Sequence, residues 1–223
     1  MLLTTANSDL RSSTMTASQT ARIGGVVNVP VVSDHVARRG NAFMRWMMIA
    51  SMRLTGWRFT GADFPDCRKF VLIVAPHTSN WDFPVGIMAM YALGIRGTFL
   101  GKDTLFKFPL GILMRFLGGF PVDRTSRSDV VTQTTELVER SESVIIVLSP
   151  EGTRKLTPRW RSGFYWIAQK TGMPILPIAF DYSTRAIHLY PFFVPTGDQD
   201  ADVVTLRGLF RPEMAFSPEK YAP

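Results

Sequence analysis

The chain reads as an alternating series of short apolar runs and helix-period segments. Lys69–Ala75, apolar from Phe70 onward, and Val144–Leu148 are runs rich in β-branched residues, and read as buried strands. Four segments carry helical spacing: Asp82–Leu93, closed by Gly94; Leu105–Phe116, stopped by Gly118-Gly119; Ser128–Arg140, with Val130, Val131, Leu137 and Val138 apolar; and Ser162–Lys170, followed by Gly172. Thr98–Gly101, Phe120–Val122, Ile175–Phe180 and Ala186–Val194 read as shorter strands. Pro174 and Pro177 put the Ile175–Phe180 strand at an edge or a bend, because proline brings no N–H to a ladder. The alternation predicts an α/β fold: a central, mostly parallel or mixed β-sheet flanked by helices.

An N-terminal helix precedes this series. Across Phe43–Leu54 and the residues just ahead of it, Arg38 and Arg45 would share one helix face with Arg53 at its edge, while Trp46, Met47 and Ile49 lie elsewhere. Two readings fit: an interfacial helix on an anionic membrane, or a helix packed on the core. The Ser/Thr-rich stretch ahead of it has no continuous apolar segment, and residues 1–35 are expected to form a disordered tail before a single domain at 36–223. No apolar run approaches the roughly 18 residues needed to cross a bilayer.

Composition narrows the partners. Lys and Arg number 25 against 18 Asp and Glu, a formal charge of +7, which favours anionic partners. No zinc-ligand spacing, aromatic RNA-binding motif or long basic stripe accompanies that charge, so no nucleic-acid partner is expected. Cys67 is the only cysteine, so no internal disulfide forms. It sits in the polar stretch Asp66-Cys67-Arg68-Lys69, a poor setting for a nucleophile.

Three loops that follow strands carry unusual residues. Pro76-His77-Thr78-Ser79-Asn80-Trp81-Asp82 follows the first buried strand. The five-residue spacing turns His77 and Asp82 about 140° apart on a regular helix, so they meet only across a turn, with His77 before the helix and Asp82 at its start. Pro84 supports a helix start there. Such a pair is a general base with its orienting carboxylate, or else an Asp cap with a nearby loop histidine. Gly118-Gly119-Phe120-Pro121-Val122-Asp123-Arg124 brings a guanidinium to a strand end, suited to phosphate or to a surface ion pair. Ser149-Pro150-Glu151-Gly152-Thr153-Arg154 brings a carboxylate, a tight turn and a cation to a third strand end, and equally fits a turn with a local ion pair. It lacks the elbow that a serine nucleophile requires.

Taken in order, these loops resemble the motifs of the glycerolipid acyltransferase family, which includes the lysophosphatidic acid acyltransferases. His77 to Asp82 is similar to the family's His-x4-Asp motif, Phe120–Arg124 to its second, Pro150–Arg154 to its third, and Ile175-Leu176-Pro177-Ile178 to its fourth. The likeness covers about residues 56–195. It departs where the third motif usually begins with Phe, here Ser149. The resemblance implies a glycerol-3-phosphate acyltransferase-like fold with His77 as base and Asp82 as its partner. It implies that Arg124 binds the acceptor phosphate, that Asn80, Glu151, Gly152, Thr153 and Arg154 line the substrate site, and that Lys102 lies near the acceptor. It further implies a lysophospholipid acceptor, acyl-CoA or acyl-carrier protein as co-substrate, direct transfer with no cofactor or metal, and a peripheral position on the cytoplasmic face of a membrane. Backbone N–H groups over Thr78–Asn80 are the expected oxyanion donors. A thioesterase or hydrolase using the same histidine, a transacylase, and a non-catalytic lipid-binding protein are the alternatives.

Overall fold

The computed structural model describes residues 21–22, 27–122 and 127–222. Its strands are β1 (Ala21–Arg22), β2 (Asn28–Val29), β3 (Arg58–Gly61), β4 (Lys69–Ala75), β5 (Gly97–Lys102), β6 (Gly119–Val122), β7 (Val144–Leu148), β8 (Ile175–Asp181) and β9 (Ala186–Leu189). Its helices are α1 (Ala42–Thr55), α2 (Asp82–Leu93), α3 (Leu110–Phe116), α4 (Arg127–Arg140), α5 (Gly163–Thr171) and α6 (Gln199–Arg207). Short 3₁₀ turns cover Asp103–Phe106, Pro212–Met214 and Pro218–Lys220.

The period-2 geometry of β4 sets the layers. Phe70 and Leu72 enter one core, with Ile49 and Met52 of α1 and Val85, Met88 and Ala92 of α2. Val71 and Ile73 enter the opposite core, with Val131 and Val138 of α4 and Phe164, Ile167 and Ala168 of α5. A strand buried on both faces has no polar alternation, which is why its sequence is an unbroken apolar run from Phe70 onward. The main sheet runs β3-β9-β8-β4-β7-β5-β6. Strands β8, β4, β7, β5 and β6 are mutually parallel. β9 pairs antiparallel with β8 and parallel with β3, so the sheet is mixed at that edge. The carboxyl ends of the five parallel strands therefore share one edge of the domain.

Several elements differ from the sequence expectation. The Leu105–Phe116 segment is two pieces, because Pro109 separates the turn at Asp103–Phe106 from α3. The last strand ends at Leu189, ahead of Pro191, rather than reaching Val194. β8 is a central strand despite Pro177. Its ladder to β9 breaks between the Ile178–Leu189 pair and the Ile175–Phe193 bridge, and Pro177 sits in that break. Its carbonyl still accepts from Tyr190 N–H at 3.0 Å. Arg38 lies outside α1, bridged to Ile95. α1 starts at its Asn41 cap, whose side chain accepts from Met44 N–H, and ends at Gly56 in the left-handed region. One face of α1 packs on α2, as the core-packing reading expects, and the other leaves Phe43 and Trp46 exposed. Val27, Val29, Val32 and Val36 are buried in the α1–α2 core, so packing extends to the N-terminal side of residue 36.

Candidate active site

At the carboxyl edge, the chain leaves β4 through Pro76 and turns into α2. That turn brings His77 Nδ1 to 2.9 Å from Asp82 Oδ2, with the histidine side chain 24% exposed and the aspartate 2% exposed. Asp82 is held from three directions. Oδ2 also accepts the Ser79 N–H at 2.9 Å, and Oδ1 accepts the Tyr182 hydroxyl at 2.8 Å. With Nδ1 engaged by a carboxylate, the hydrogen-bond network assigns the proton to Nδ1 and leaves Nε2 as the basic nitrogen.

Tyr182 is absent from the sequence-derived site. It follows the last residue of β8 and is clamped edge-on by Trp57 at 5.0 Å and Phe216 at 5.2 Å. Burial, together with the adjacent Asp82 charge, pushes its hydroxyl far up, so it stays a neutral donor. The only sequence signal for it is its place, one residue past the carboxyl end of a buried strand, where such sheets carry their sites.

Glu151 belongs to the same cluster, although not as a surface group. It is 5% exposed, and its Oε2 accepts the His77 backbone N–H at 2.7 Å and the Ser149 hydroxyl at 3.2 Å. It thus ties the β7 loop to the β4 loop from behind His77. Gly152 makes this turn possible: its φ is +64°, and a Cβ there would lie 2.6 Å from Arg161 Cδ. Thr153 caps its own turn by accepting from Lys155 N–H, and Arg154 is exposed. Asn80 is exposed beside the dyad. Lys102 is exposed at the end of β5, opposite Val122 of β6. Arg124 lies two residues beyond Val122, outside the described residues. Of the expected oxyanion donors, Ser79 N–H is committed to Asp82, so Thr78 and Asn80 are the remaining candidates. Cys67 precedes β4 at its other end, roughly 20 Å of strand away from His77. Among the described residues, no three His, Cys, Asp or Glu side chains gather into a metal-binding group.

Burial raises Glu151 from 4.5 to about 7, against the pull of the His77 N–H bond. Because the folded value lies above the unfolded one, the folded chain binds more protons between them. The contribution of this group to stability is full below pH 4.5 and is lost as pH rises through about 7. Glu151→Gln is expected to flatten this slope, worth roughly 2–3 kcal/mol across the window. Urea unfolding of both proteins at each end of that range checks it. An unchanged slope in the variant would assign the pH dependence elsewhere.

Fold and site together define an α/β protein that sets a histidine–carboxylate dyad at the shared carboxyl edge of five parallel strands. The sequence model of the Acyltransferase family matches residues 56–181, which span β3 to β8, and the chain belongs to that family. It is 33% identical over 109 residues to a chloroplastic 1-acyl-sn-glycerol-3-phosphate acyltransferase of Brassica napus, covering 46% of this chain and 31% of that protein. It is 30% identical over 145 residues to the human 1-acyl-sn-glycerol-3-phosphate acyltransferase beta, covering 60% of this chain and 50% of that protein. The chain thus spans half or less of these curated relatives. The crystal structure of the 1-acyl-sn-glycerophosphate acyltransferase PlsC from Thermotoga maritima shares the fold, with a TM-score of 0.54, 19% identity and coverage of 75% of each chain.

Proposed function

We propose that this protein transfers a fatty acyl group from the thioester of acyl-CoA or acyl-carrier protein to the free hydroxyl of a lysophospholipid, 1-acylglycerol-3-phosphate, in phospholipid synthesis. The observation that carries this reading is the 2.9 Å contact between His77 Nδ1 and Asp82, which leaves Nε2 as a base at the strand edge. The names of the relatives support the acceptor.

The steps follow from that base. His77 Nε2 takes the hydroxyl proton as the acceptor oxygen attacks the thioester carbonyl. Asp82 faces the imidazolium that forms. The tetrahedral oxyanion sits at the N-terminus of α2, where the N–H groups of Thr78 and Asn80 and the helix dipole favour negative charge. Collapse breaks the carbon–sulfur bond, and the imidazolium returns its proton to the departing thiolate, giving an ester and a free thiol. No acyl-enzyme, metal or resident cofactor takes part in these steps. A thioester is already activated, so positioning and one base suffice.

Lys102, at the end of β5, and Arg124, which follows β6 in the sequence, would hold the acceptor phosphate, with Asn80 and Arg154 at the rim. Glu151, Gly152 and Thr153 would act through the loop that holds His77. The protein would work from the membrane surface, at the cytoplasmic face. Among the described residues, no helix is long and apolar enough to cross a bilayer. The test is incubation of the purified protein with acyl-CoA and lysophosphatidic acid in detergent, read by mass spectrometry. Phosphatidic acid and stoichiometric free thiol are expected. Free fatty acid without phosphatidic acid would overturn transfer in favour of hydrolysis.

A further inference from the structure

The segment between β5 and β6 is built against the usual rule for a surface helix. Of the seven residues of α3, Leu110-Gly111-Ile112-Leu113-Met114-Arg115-Phe116, only Arg115 is charged. A helix apolar on every side belongs in a core or in lipid. Here only Gly111 is buried, because the helix backbone presses at that residue directly onto the carbonyl of Phe106. With the contact made by backbone, the side chains have no core to enter. Leu105, Phe108, Leu110, Ile112, Leu113 and Phe116 are between 42% and 86% exposed, Phe108 most of all. Six large apolar side chains exposed within twelve residues is more than a monomer surface carries without use.

The segment is also firmly rooted. The Phe106 ring fills the space above Gly101 of β5 and Gly119 of β6, and a Cβ at either glycine would lie within 2.8 Å of it. Arg115 donates to the Phe106 carbonyl at 3.3 Å and stacks on its ring at 5.5 Å. Arg39 stacks on Phe116 at 5.1 Å and on Tyr91 of α2 at 5.4 Å. The charges among the apolar residues are basic in balance: Lys102, Lys107 and Arg115 against Asp103. Apolar side chains ringed by cations fit one partner chemistry, an anionic phospholipid surface.

We infer that residues 105–116 form a membrane-inserting wedge, with Phe108, Ile112 and Phe116 entering the acyl region and Lys107 and Arg115 meeting anionic headgroups. This deepens the peripheral-membrane part of the reading above and is independent of the transfer chemistry. The wedge leaves the sheet at Lys102, on the edge that holds His77. Its insertion brings the site to the lipid, so that an amphiphilic acceptor enters from the bilayer without leaving it.

The test is co-sedimentation of the full chain with vesicles of phosphatidylcholine alone and with one quarter phosphatidylglycerol. Wild type is compared with Phe108→Ser/Ile112→Ser/Phe116→Ser and with Lys107→Glu. All substituted side chains are exposed, and thermal melting verifies that the variants fold. Wild type is expected to bind the anionic vesicles more tightly than the neutral ones. The triple variant is expected to lose at least about tenfold in partitioning, from three side chains no longer buried in lipid. Lys107→Glu is expected to lose mainly the preference for anionic lipid. Equal binding by wild type and the triple variant would overturn the wedge while leaving membrane association standing. Absence of wild-type binding would overturn both. A lipid-free wild-type dimer that the triple variant converts to a monomer would overturn the proposal in favour of a second copy on this face.

Discussion

His77→Ala is expected to lower acyl transfer by about 10²–10⁴-fold, the usual share of general base catalysis, with the unfolding temperature nearly unchanged. The two halves of this expectation rest on different contacts. The catalytic half rests on Nε2, the ring nitrogen left free when Nδ1 meets Asp82 at 2.9 Å. The stability half rests on what remains after truncation. Asp82 keeps the Ser79 N–H and the Tyr182 hydroxyl, so its buried carboxylate is not stranded. Glu151 keeps the backbone N–H of residue 77, which any residue there supplies. The loss is then one partly exposed hydrogen bond, worth about 1 kcal/mol. Product analysis by mass spectrometry, beside a thermal melt, reads both halves. Transfer retained in a folded variant would remove His77 as the base. Loss of both would make the residue structural.

Much of the site was legible because its parts lie close in sequence. His77 and Asp82 are five apart, and only a turn lets them meet; the chain supplies one between β4 and α2. Strands β4 and β7, buried on both faces, show as apolar runs, and Gly94 and Gly172 mark helix ends that the structure places at left-handed φ. What was not legible depends on contacts across the chain. Tyr182 reaches Asp82 from 100 residues away, and nothing in its local sequence separates it from a core tyrosine. The inward role of Glu151 was hidden because a loop carboxylate reads as a ligand group until the fold turns it under His77. β3 escaped because four residues, three of them polar or glycine at a sheet edge, carry no period. α6 escaped because its apolar face is narrow: Leu206 is buried, and its Asp202 is buried only because Tyr165 and Thr196 bond it. Pro177 misled because proline weakens a ladder only where the ladder exists, and β9 leaves a gap there.

Asp82→Asn is expected to lower kcat by about 10²–10³-fold with little change in acceptor KM, the scale at which one preorganised electrostatic contact to a developing charge is felt. The side chain keeps its shape, and the network has room for one orientation of the amide. Its oxygen must face the Ser79 N–H and His77 Nδ1, since an NH₂ at that position would confront a donor. The NH₂ then faces Tyr182, whose hydroxyl can rotate from donating to accepting. The fold and the tautomer of His77 are thus retained in that orientation, and what disappears is the full negative charge facing the imidazolium. That charge matters only once the proton has moved, so its loss appears in the chemical step and not in acceptor binding. A fall in kcat at constant KM, with a melting curve close to wild type, is the expected signature. A rise in KM at constant kcat would instead make Asp82 a group that shapes the acceptor site. An unchanged kcat would reduce the contact to a helix cap, returning to the reading of this pair in which the histidine is only a neighbour.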